Sequence, residues 1–273
     1  LHAVGVRACW LALGAVTLAV VAIGAAARAD EPPRLPTGVK ITTLEPDDRG
    51  VITHRVTSPY QAGQTRVDVI LPADRKPGET FRVLYVLPVE AGDTTRWGDA
   101  VAEILKQRLA DEHRLICVHP TFSHLPWYCD HPSDPRIRQE TYLLDVVLPL
   151  VEQTYPVRAW REGRLLVGFS KSGWGAWSLL LRHPERFHKA AAWDAPLLVE
   201  QPTSFGMGPI FGTAENFAGY FLPSALERRA DQLKPSDPRL IHLGYDKFRD
   251  HHRRTRELLE KLDIPQLDRD GPQ

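Results

Sequence analysis

The sequence has no excess of charge of either sign. Its 273 residues include 34 Lys and Arg and 34 Asp and Glu, which gives a formal net charge of zero. A nucleic-acid-binding domain requires a basic excess or a basic stripe, and the Arg-rich piece at 251–256 is short enough to be one solvated helix face. The balance therefore argues against a nucleic-acid partner. A hydrophobic fraction of 43% is ordinary for a globular chain.

Cysteine is scarce, and internal repeats and low-complexity segments are missing. The chain has three cysteines, and only Cys117 and Cys129 lie beyond the N-terminal segment. These two could pair in an exported protein. Cys117 falls inside an apolar strand, however, so a role as a small buried hydrophobic residue is equally consistent with the sequence.

The only long apolar run is at the N-terminus. Arg7 precedes a nearly uninterrupted apolar stretch over 8–27, and Ala27-Arg28-Ala29 forms an A-x-A cleavage site. This pattern predicts a signal peptide over 1–29, with export to the periplasm or medium and no stable membrane insertion after cleavage. An uncleaved anchor is the alternative, because the run is long for a signal. A linker rich in Pro and charge is predicted over 30–50.

The rest of the chain, 51–273, predicts one α/β domain. Strand and helix patterns alternate along it, which requires a mostly parallel central sheet with helices on both faces. The turn at 72–79 is predicted to join the strands on either side of it as an antiparallel hairpin. The segment 200–235 is predicted to form a short lid-like insertion. Strands are predicted at 51–56, 66–71, 81–87, 114–119, 165–167, 189–193, 239–243 and 264–268, and helices at 94–111, 139–155, 174–181 and 250–262.

The stretch 164–181 contains the strongest chemical motif. An apolar strand leads into Gly168-Phe169-Ser170-Lys171-Ser172, and small and apolar residues at helical spacing follow. Strand, tight turn and helix are the context of a nucleophile elbow, in which small residues two before and two after the serine avoid steric collision. Ser172 stands where the second glycine of G-x-S-x-G usually stands. We interpret Ser170 as the candidate nucleophile, against the alternative of a plain strand-to-helix turn with a serine cap.

A serine nucleophile needs oxyanion donors, an acid and a histidine base. The backbone N–H of Lys171 is the first candidate donor, and Val89 or Glu90 supplies the second because Pro88 has no N–H; we prefer Glu90. The carboxyl ends of parallel strands meet at one edge, where Asp246 follows a late strand and is the preferred acid. Asp194 is the second candidate, and Asp250 fits better as a helix N-cap.

Histidine and aromatic residues complete the candidate site. Downstream of Asp246 the sequence has only His251 and His252, which lie awkwardly close to that acid for a base. Trp127 and Trp174 are candidates for stacking on a sugar or aryl group, although core packing explains them equally well. A metal site is not expected, because His119, His124 and His131 fit no compact ligand spacing.

With these segments in view, the chain resembles the putative-esterase family of α/β-hydrolases. This group includes S-formylglutathione hydrolase (esterase D), feruloyl and acetyl-xylan esterases, and mycolyltransferases. The resemblance covers roughly residues 64–270. It depends on VLYVLP at 83–88, ETYLL at 140–144, GFSKSGWGA at 168–176 and the segment 244–248, where the family places its acid.

The resemblance implies ester hydrolysis, or acyl transfer, through an acyl-serine and without a metal or organic cofactor. The candidate stacking residues favour a small-molecule aryl ester or a carbohydrate-linked ester as the substrate. The chain departs from the family at Pro88-Val89, where the family has His-Gly, and at Ser172. Family members also continue into a loop carrying the catalytic histidine, so we expect that histidine beyond Gln273 and the domain to be incomplete at its C-terminal end. The alternatives are a non-catalytic binding protein of the same fold and, more distantly, a peptidase.

Overall fold

Nine strands form one sheet in the computed structural model, which describes residues 34–234, 237–244 and 246–269. The signal-peptide prediction over 1–29 lies outside these residues. The sheet has the order β1-β2-β3-β5-β4-β6-β7-β8-β9. Its strands are β1 (Lys40–Thr43), β2 (Ile52–Thr57), β3 (Gln64–Ile70), β4 (Arg82–Leu87), β5 (Leu115–Pro120), β6 (Arg164–Phe169), β7 (Lys189–Trp193), β8 (Leu240–Leu243) and β9 (Gln266–Arg269).

The sheet is antiparallel at one edge and parallel from β5 onward. β1 to β3 form an antiparallel meander, and β3 pairs antiparallel with β5. The predicted hairpin across 72–79 is therefore wrong: β4 pairs parallel with β5 and β6 instead. The chain crosses over after β4 and places β5 between β3 and β4. The two strands on either side of the turn at 72–79 are therefore not neighbours in the sheet.

Helices of the described chain connect the parallel strands. They are α1 (Ala100–Lys106), α2 (Leu109–Glu112), α3 (Gln139–Tyr142), α4 (Leu148–Thr154), α5 (Lys171–Arg182), α6 (Gly208–Phe211), α7 (Ala214–Tyr220), α8 (Leu222–Leu233) and α9 (Arg249–Lys261). A π-helical turn over Leu143–Val147 joins α3 to α4, so the predicted helix over 139–155 is continuous apart from this widening. Among the described residues no helix is long and apolar enough to cross a membrane.

Three predicted segments differ from the structure. The helix expected over 94–111 divides into α1 and α2 because Arg108 takes a left-handed φ of 49°. Part of the predicted linker forms β1, which pairs with β2. Most of the insertion predicted over 200–235 is α6, α7 and α8, whose buried apolar faces join the main core. Weak periodicity hid these helices because two of them are short.

Two hydrophobic clusters fill the interior of the described chain. The larger one contains α5 and α8 with alternate residues of the central strands. The smaller one lies under α1 and α2 and includes Val101, Ile104 and Cys117. Cys117 and Cys129 are both free and buried, which agrees with the small-hydrophobic-residue alternative and not with a disulfide.

The parallel strands place the loops that follow them at one edge of the sheet. The loop after β4 runs toward α1, the loop after β5 covers 121–138, and α5 begins directly after β6. Asp194 follows β7, and 244–248 follows β8. The parallel sheet thus gathers at this edge the segments that contain the candidate site residues.

Candidate active site

Ser170 lies in a strained turn between β6 and α5. Its backbone has φ 53° and ψ −120°, a region that residues with a Cβ rarely occupy. The turn is held by the Ser170 N–H, which donates to the Trp193 carbonyl at 2.8 Å. Within the described chain, the hydroxyl makes no capping hydrogen bond to α5. A strained, uncapped serine fits a nucleophile better than an ordinary helix cap.

The glycines around Ser170 are required by close approach of the backbone. A Cβ at Gly168 would lie 2.1 Å from the Ser172 carbonyl oxygen, and one at Gly173 would lie 2.8 Å from the Ala195 Cβ. Position 172 tolerates a serine because its buried hydroxyl turns back, accepting from the Phe169 N–H and donating to the Phe169 carbonyl, both at 2.9 Å. The second tight contact of the elbow is therefore at Gly173, one residue later than the motif predicts.

The N-terminus of α5 points at the same turn. Lys171 is the first residue of this helix of 12 residues, so its N–H has no partner within the helix. The positive end of the helix dipole also favours a negative charge there. The backbone N–H of Lys171 therefore stays the candidate for the first oxyanion donor.

The loop after β4, which we call the oxyanion loop (88–98), is fixed at several points. The Pro88 carbonyl accepts from the buried Tyr128 hydroxyl at 2.6 Å, and the Gly92 N–H donates to the Phe122 carbonyl at 2.8 Å. Between them, the Glu90 side chain contacts the Lys171 ammonium at 3.0 Å. The loop is thus tied to the elbow next to the predicted donor, the backbone N–H of Glu90.

Asp194 and Asp246 have different environments. The Asp194 carboxylate is buried and accepts from the backbone N–H groups of Asp246, Lys247 and Phe248 at 3.0, 3.2 and 2.8 Å. The Asp246 side chain is exposed. Asp250, the predicted helix cap, instead pairs with Arg253 at 2.5 Å. Asp194 thus holds the segment that precedes α9, whereas the Asp246 carboxylate stays accessible at the sheet edge.

Two histidines of α9 also hydrogen-bond the backbone of the loop after β7. His251 Nδ1 accepts from the Leu198 N–H at 3.0 Å, and His252 Nε2 accepts from the Ala195 N–H at 2.8 Å. His252 Nδ1 also lies 2.8 Å from His242 Nδ1 on β8. His252 thereby uses both ring nitrogens, which removes it from consideration as a base for Ser170.

The contact between His242 and His252 predicts that the folded state loses stability in acid. Burial lowers the pKa of His242 to about 3 and that of His252 to about 4, and the positive charge of Arg256 acts in the same direction. The unfolded chain then binds more protons below pH 6.5, so stability is complete above pH 6.5 and falls as the pH drops toward 4. The slope is at most about 1.4 kcal/mol per pH unit for each histidine.

Urea unfolding of the protein between pH 7.5 and 4.5 measures this loss of stability. His242→Gln should flatten the pH dependence, because it removes one of the two protonation sites. The exposed His113→Gln is the matched control and should leave the slope unchanged. A stability that is constant over this range would contradict the prediction.

The two tryptophans predicted to bind substrate are in the core. Trp127 and Trp174 are 0% and 1% exposed, and their rings pack edge to face at 5.4 Å. Burial leaves neither ring a face for a ligand, so the packing alternative is the correct one.

Other aromatic rings lie open beside Ser170. Trp97 and Trp193 are 54% and 53% exposed, and the ring of Phe169 lies between them at centroid distances of 6.4 and 5.1 Å. We call these three residues the aromatic surface. The sequence offered one signal for it: Trp193 is the last residue of a strand that ends at the active edge.

His119 of β5 and the two histidines of the loop after β5 have separate hydrogen-bond partners. His119 Nδ1 contacts the Val86 carbonyl at 2.9 Å, His124 contacts the Ser123 hydroxyl, and His131 accepts from the N–H groups of residues 133 and 134. Among the residues that the structure describes, no group of three or more His, Cys, Asp or Glu could hold a metal ion.

A cavity of about 880 Å³ lies beside the elbow. Its wall includes Glu90, Trp97, Phe169 and Trp193, and it extends beneath α1. Ser170 is not part of this wall, so the cavity adjoins the candidate nucleophile without enclosing it.

Solved structures share this fold. A ferulic acid esterase is 22% identical with a TM-score of 0.63, over 81% of this chain and 89% of the other. S-formylglutathione hydrolase (FrmB) from Staphylococcus aureus is 19% identical with a TM-score of 0.62, over 86% and 91%. Mycobacterium tuberculosis MPT51 is 15% identical with a TM-score of 0.55, over 86% and 91%. At these identities the likeness shows the α/β-hydrolase fold.

Proteins and a family that match in sequence are also esterases by description. Esterase Rv1288 of Mycobacterium tuberculosis is 27% identical over 163 residues, which are 58% of this chain and 35% of the relative. The chain thus spans about a third of the length of this relative. The family described as Putative esterase matches residues 58–203, more than half of the chain and the part that contains the oxyanion loop and the elbow. The chain therefore belongs to the putative-esterase family of α/β-hydrolases.

Proposed function

We propose that the protein is a serine carboxylic-ester hydrolase that works through an acyl-serine intermediate. The observation that carries this proposal is the geometry of Ser170, a strained serine at the N-terminus of α5 beside the oxyanion loop. Membership of the putative-esterase family supports the same reaction class. Ester hydrolysis requires a nucleophile and an oxyanion site, and both have candidates in one place.

The mechanism assigns one role to each residue. The Ser170 hydroxyl attacks the ester carbonyl, and the backbone N–H groups of Lys171 and Glu90 stabilise the oxyanion that forms. A histidine base takes the Ser170 proton during this attack and gives it to the departing alkoxide. The same histidine then takes a proton from water, which attacks the acyl-serine, and returns it to Ser170 as the acid leaves. Asp246 orients that histidine. Both ring nitrogens of His252 are engaged by other partners, so this histidine is not the base.

The aromatic surface supports a proposal for the substrate class. Exposed indole rings offer a flat apolar face to an aryl group or a sugar ring. Trp97 and Trp193 have this exposure next to the nucleophile, which supports aryl or carbohydrate-linked esters as substrates. The predicted signal peptide over 1–29 supports action outside the cytoplasm, in the periplasm or the medium.

Fluorophosphonate labelling of the natural chain, followed by peptide mapping, tests the proposed nucleophile. We expect one adduct on Ser170, and none after Ser170→Ala. Ser178 is the matched control residue, since it is a buried serine of the same helix and should not be labelled. An adduct elsewhere, or no adduct together with no hydrolysis of aryl acetates, would refute the esterase proposal.

A binding protein of the same fold is the second candidate. It is favoured by one observation: in the described part of the chain no histidine hydrogen-bonds Ser170, and His251 and His252 serve the loop after β7. Retained binding of an aryl glycoside without labelling would support this candidate. An acyltransferase would instead label at Ser170 and form a new ester when an alcohol acceptor is supplied.

A further inference from the structure

The side chain that follows the nucleophile is a cation in an unfavourable place. Lys171 occupies the first turn of α5, where the helix dipole is positive and disfavours positive charge. Its side chain is only 12% exposed, so water does not solvate the ammonium freely. A cation held there needs a nearby anion, and the Glu90 carboxylate lies at 3.0 Å.

Glu90 in turn joins three parts of the site. One of its carboxylate oxygens accepts from Lys171 Nζ and from Trp97 Nε1, each at 3.0 Å. The Trp97 ring contacts Phe169, the residue before the nucleophile. A single carboxylate thus connects the elbow, the middle of the oxyanion loop and the aromatic surface.

Other contacts of the oxyanion loop include the Trp97 ring against Phe169 and an ion pair of Asp93 with Arg66 at 3.1 Å. Tyr128 holds the loop at Pro88, and the Phe122 carbonyl holds it at Gly92. Most of 91–99 is exposed, so little packing restrains the loop. The ion pair between Lys171 and Glu90 joins the loop to the elbow at the two proposed oxyanion donors themselves, because the donating backbone N–H groups belong to the same two residues.

We propose that Lys171 and Glu90 are a positioning pair that aligns the oxyanion loop with the nucleophile elbow. This inference rests on the proposed function and assigns the two side chains a role distinct from that of their backbone N–H groups. Lys171 has a second effect: it neutralises a carboxylate that would otherwise oppose the negative charge developing on the oxyanion. The pair thus acts through geometry and through charge.

The charge effect predicts that loss of Lys171 lowers kcat more than loss of the Glu90 charge does. Lys171→Met leaves the Glu90 carboxylate uncompensated beside the oxyanion, and we expect kcat to fall about 100-fold, comparable to the loss of one oxyanion donor. Glu90→Gln removes the tie but leaves no opposing charge, so kcat should fall about 10-fold. The double variant should resemble Glu90→Gln, because the two residues act as a unit. Lys171→Arg should recover most of the activity, and KM should change less than about threefold.

A matched control comes from the other end of β6. Glu152 and Arg164 form an ion pair of similar burial, 5% and 13% exposed, and Arg164 is the first residue of β6. Glu152→Gln should leave kcat per folded molecule unchanged. Independent losses that multiply to about 1,000-fold in the double variant, or changes confined to KM for anionic esters, would overturn the proposal.

Hydrogen exchange tests the positioning role without any need for catalysis. Amides of 89–98 should exchange faster in Lys171→Met and in Glu90→Gln, but not in Glu152→Gln. Unchanged exchange in both variants would refute the inference even if the enzyme is active. An inert wild-type chain whose exchange follows the expected pattern would refute the esterase proposal and leave the positioning pair intact.

Discussion

Ser170→Gly is expected to abolish ester hydrolysis while making the protein more stable. Loss of a serine nucleophile lowers kcat by about 10⁴- to 10⁶-fold in enzymes of this type. The backbone at Ser170 has φ 53°, which costs of order 1–3 kcal/mol for a residue with a Cβ. Glycine removes this strain and costs about 0.5–1 kcal/mol in chain entropy, so a net gain of about 1 kcal/mol is expected.

The measurements are the rate of aryl acetate hydrolysis and the urea midpoint of each variant. Ser172→Gly is the matched control, because it restores the usual G-x-S-x-G pattern but removes two buried hydrogen bonds to Phe169. It should keep hydrolysis within about tenfold and lose about 1–2 kcal/mol of stability. A Ser170→Gly variant that is less stable than the wild type would show that the turn stores no strain.

Asp246→Asn is expected to lower kcat by about 10³- to 10⁴-fold and to leave stability unchanged. An asparagine cannot stabilise the imidazolium that forms when the base takes the serine proton, and it favours the wrong histidine tautomer. The Asp246 side chain is exposed, so its replacement removes little packing. Steady-state kinetics and a thermal melt of the same preparation measure the two effects.

Asp194→Asn should instead lower the stability of the protein and have a smaller effect on kcat. Its buried carboxylate accepts three backbone N–H groups ahead of α9, and an amide can satisfy these donors only in part. Hydrogen bonds to a charged group contribute about 1.5–3 kcal/mol each, so we expect a loss of about 2–4 kcal/mol of stability. If Asp194→Asn instead keeps its stability and loses kcat, Asp194 is the orienting acid and the assignment to Asp246 is wrong.

The positions of Asp194 and Asp246 at the sheet edge could be predicted from the sequence, but their burial could not. Both follow strands that end at the active edge, and that placement could be predicted from alternating strand and helix patterns. Which carboxylate is buried depends on how the segment before α9 packs against the loop after β7. That contact joins residues more than fifty positions apart, and no local pattern encodes it.

The aromatic residues make the same point. Trp127 and Trp174 are close to the motif in sequence or in loop position, yet both are in the core. Trp97 and Trp193 are open to solvent and were not predicted. Exposure is decided by what the neighbouring elements cover, and a tryptophan has an apolar ring in either setting.

The sequence by itself determined the α/β class, the nucleophile candidate and most strand positions, because strand length, helical spacing and the need for small residues in a tight turn are local properties. Only the tertiary structure decided the pairing of β3 with β5, the burial of Asp194 and the contact between Lys171 and Glu90. Each of these brings together segments distant along the chain, and their contact energies depend on the packed neighbourhood, which local sequence does not specify.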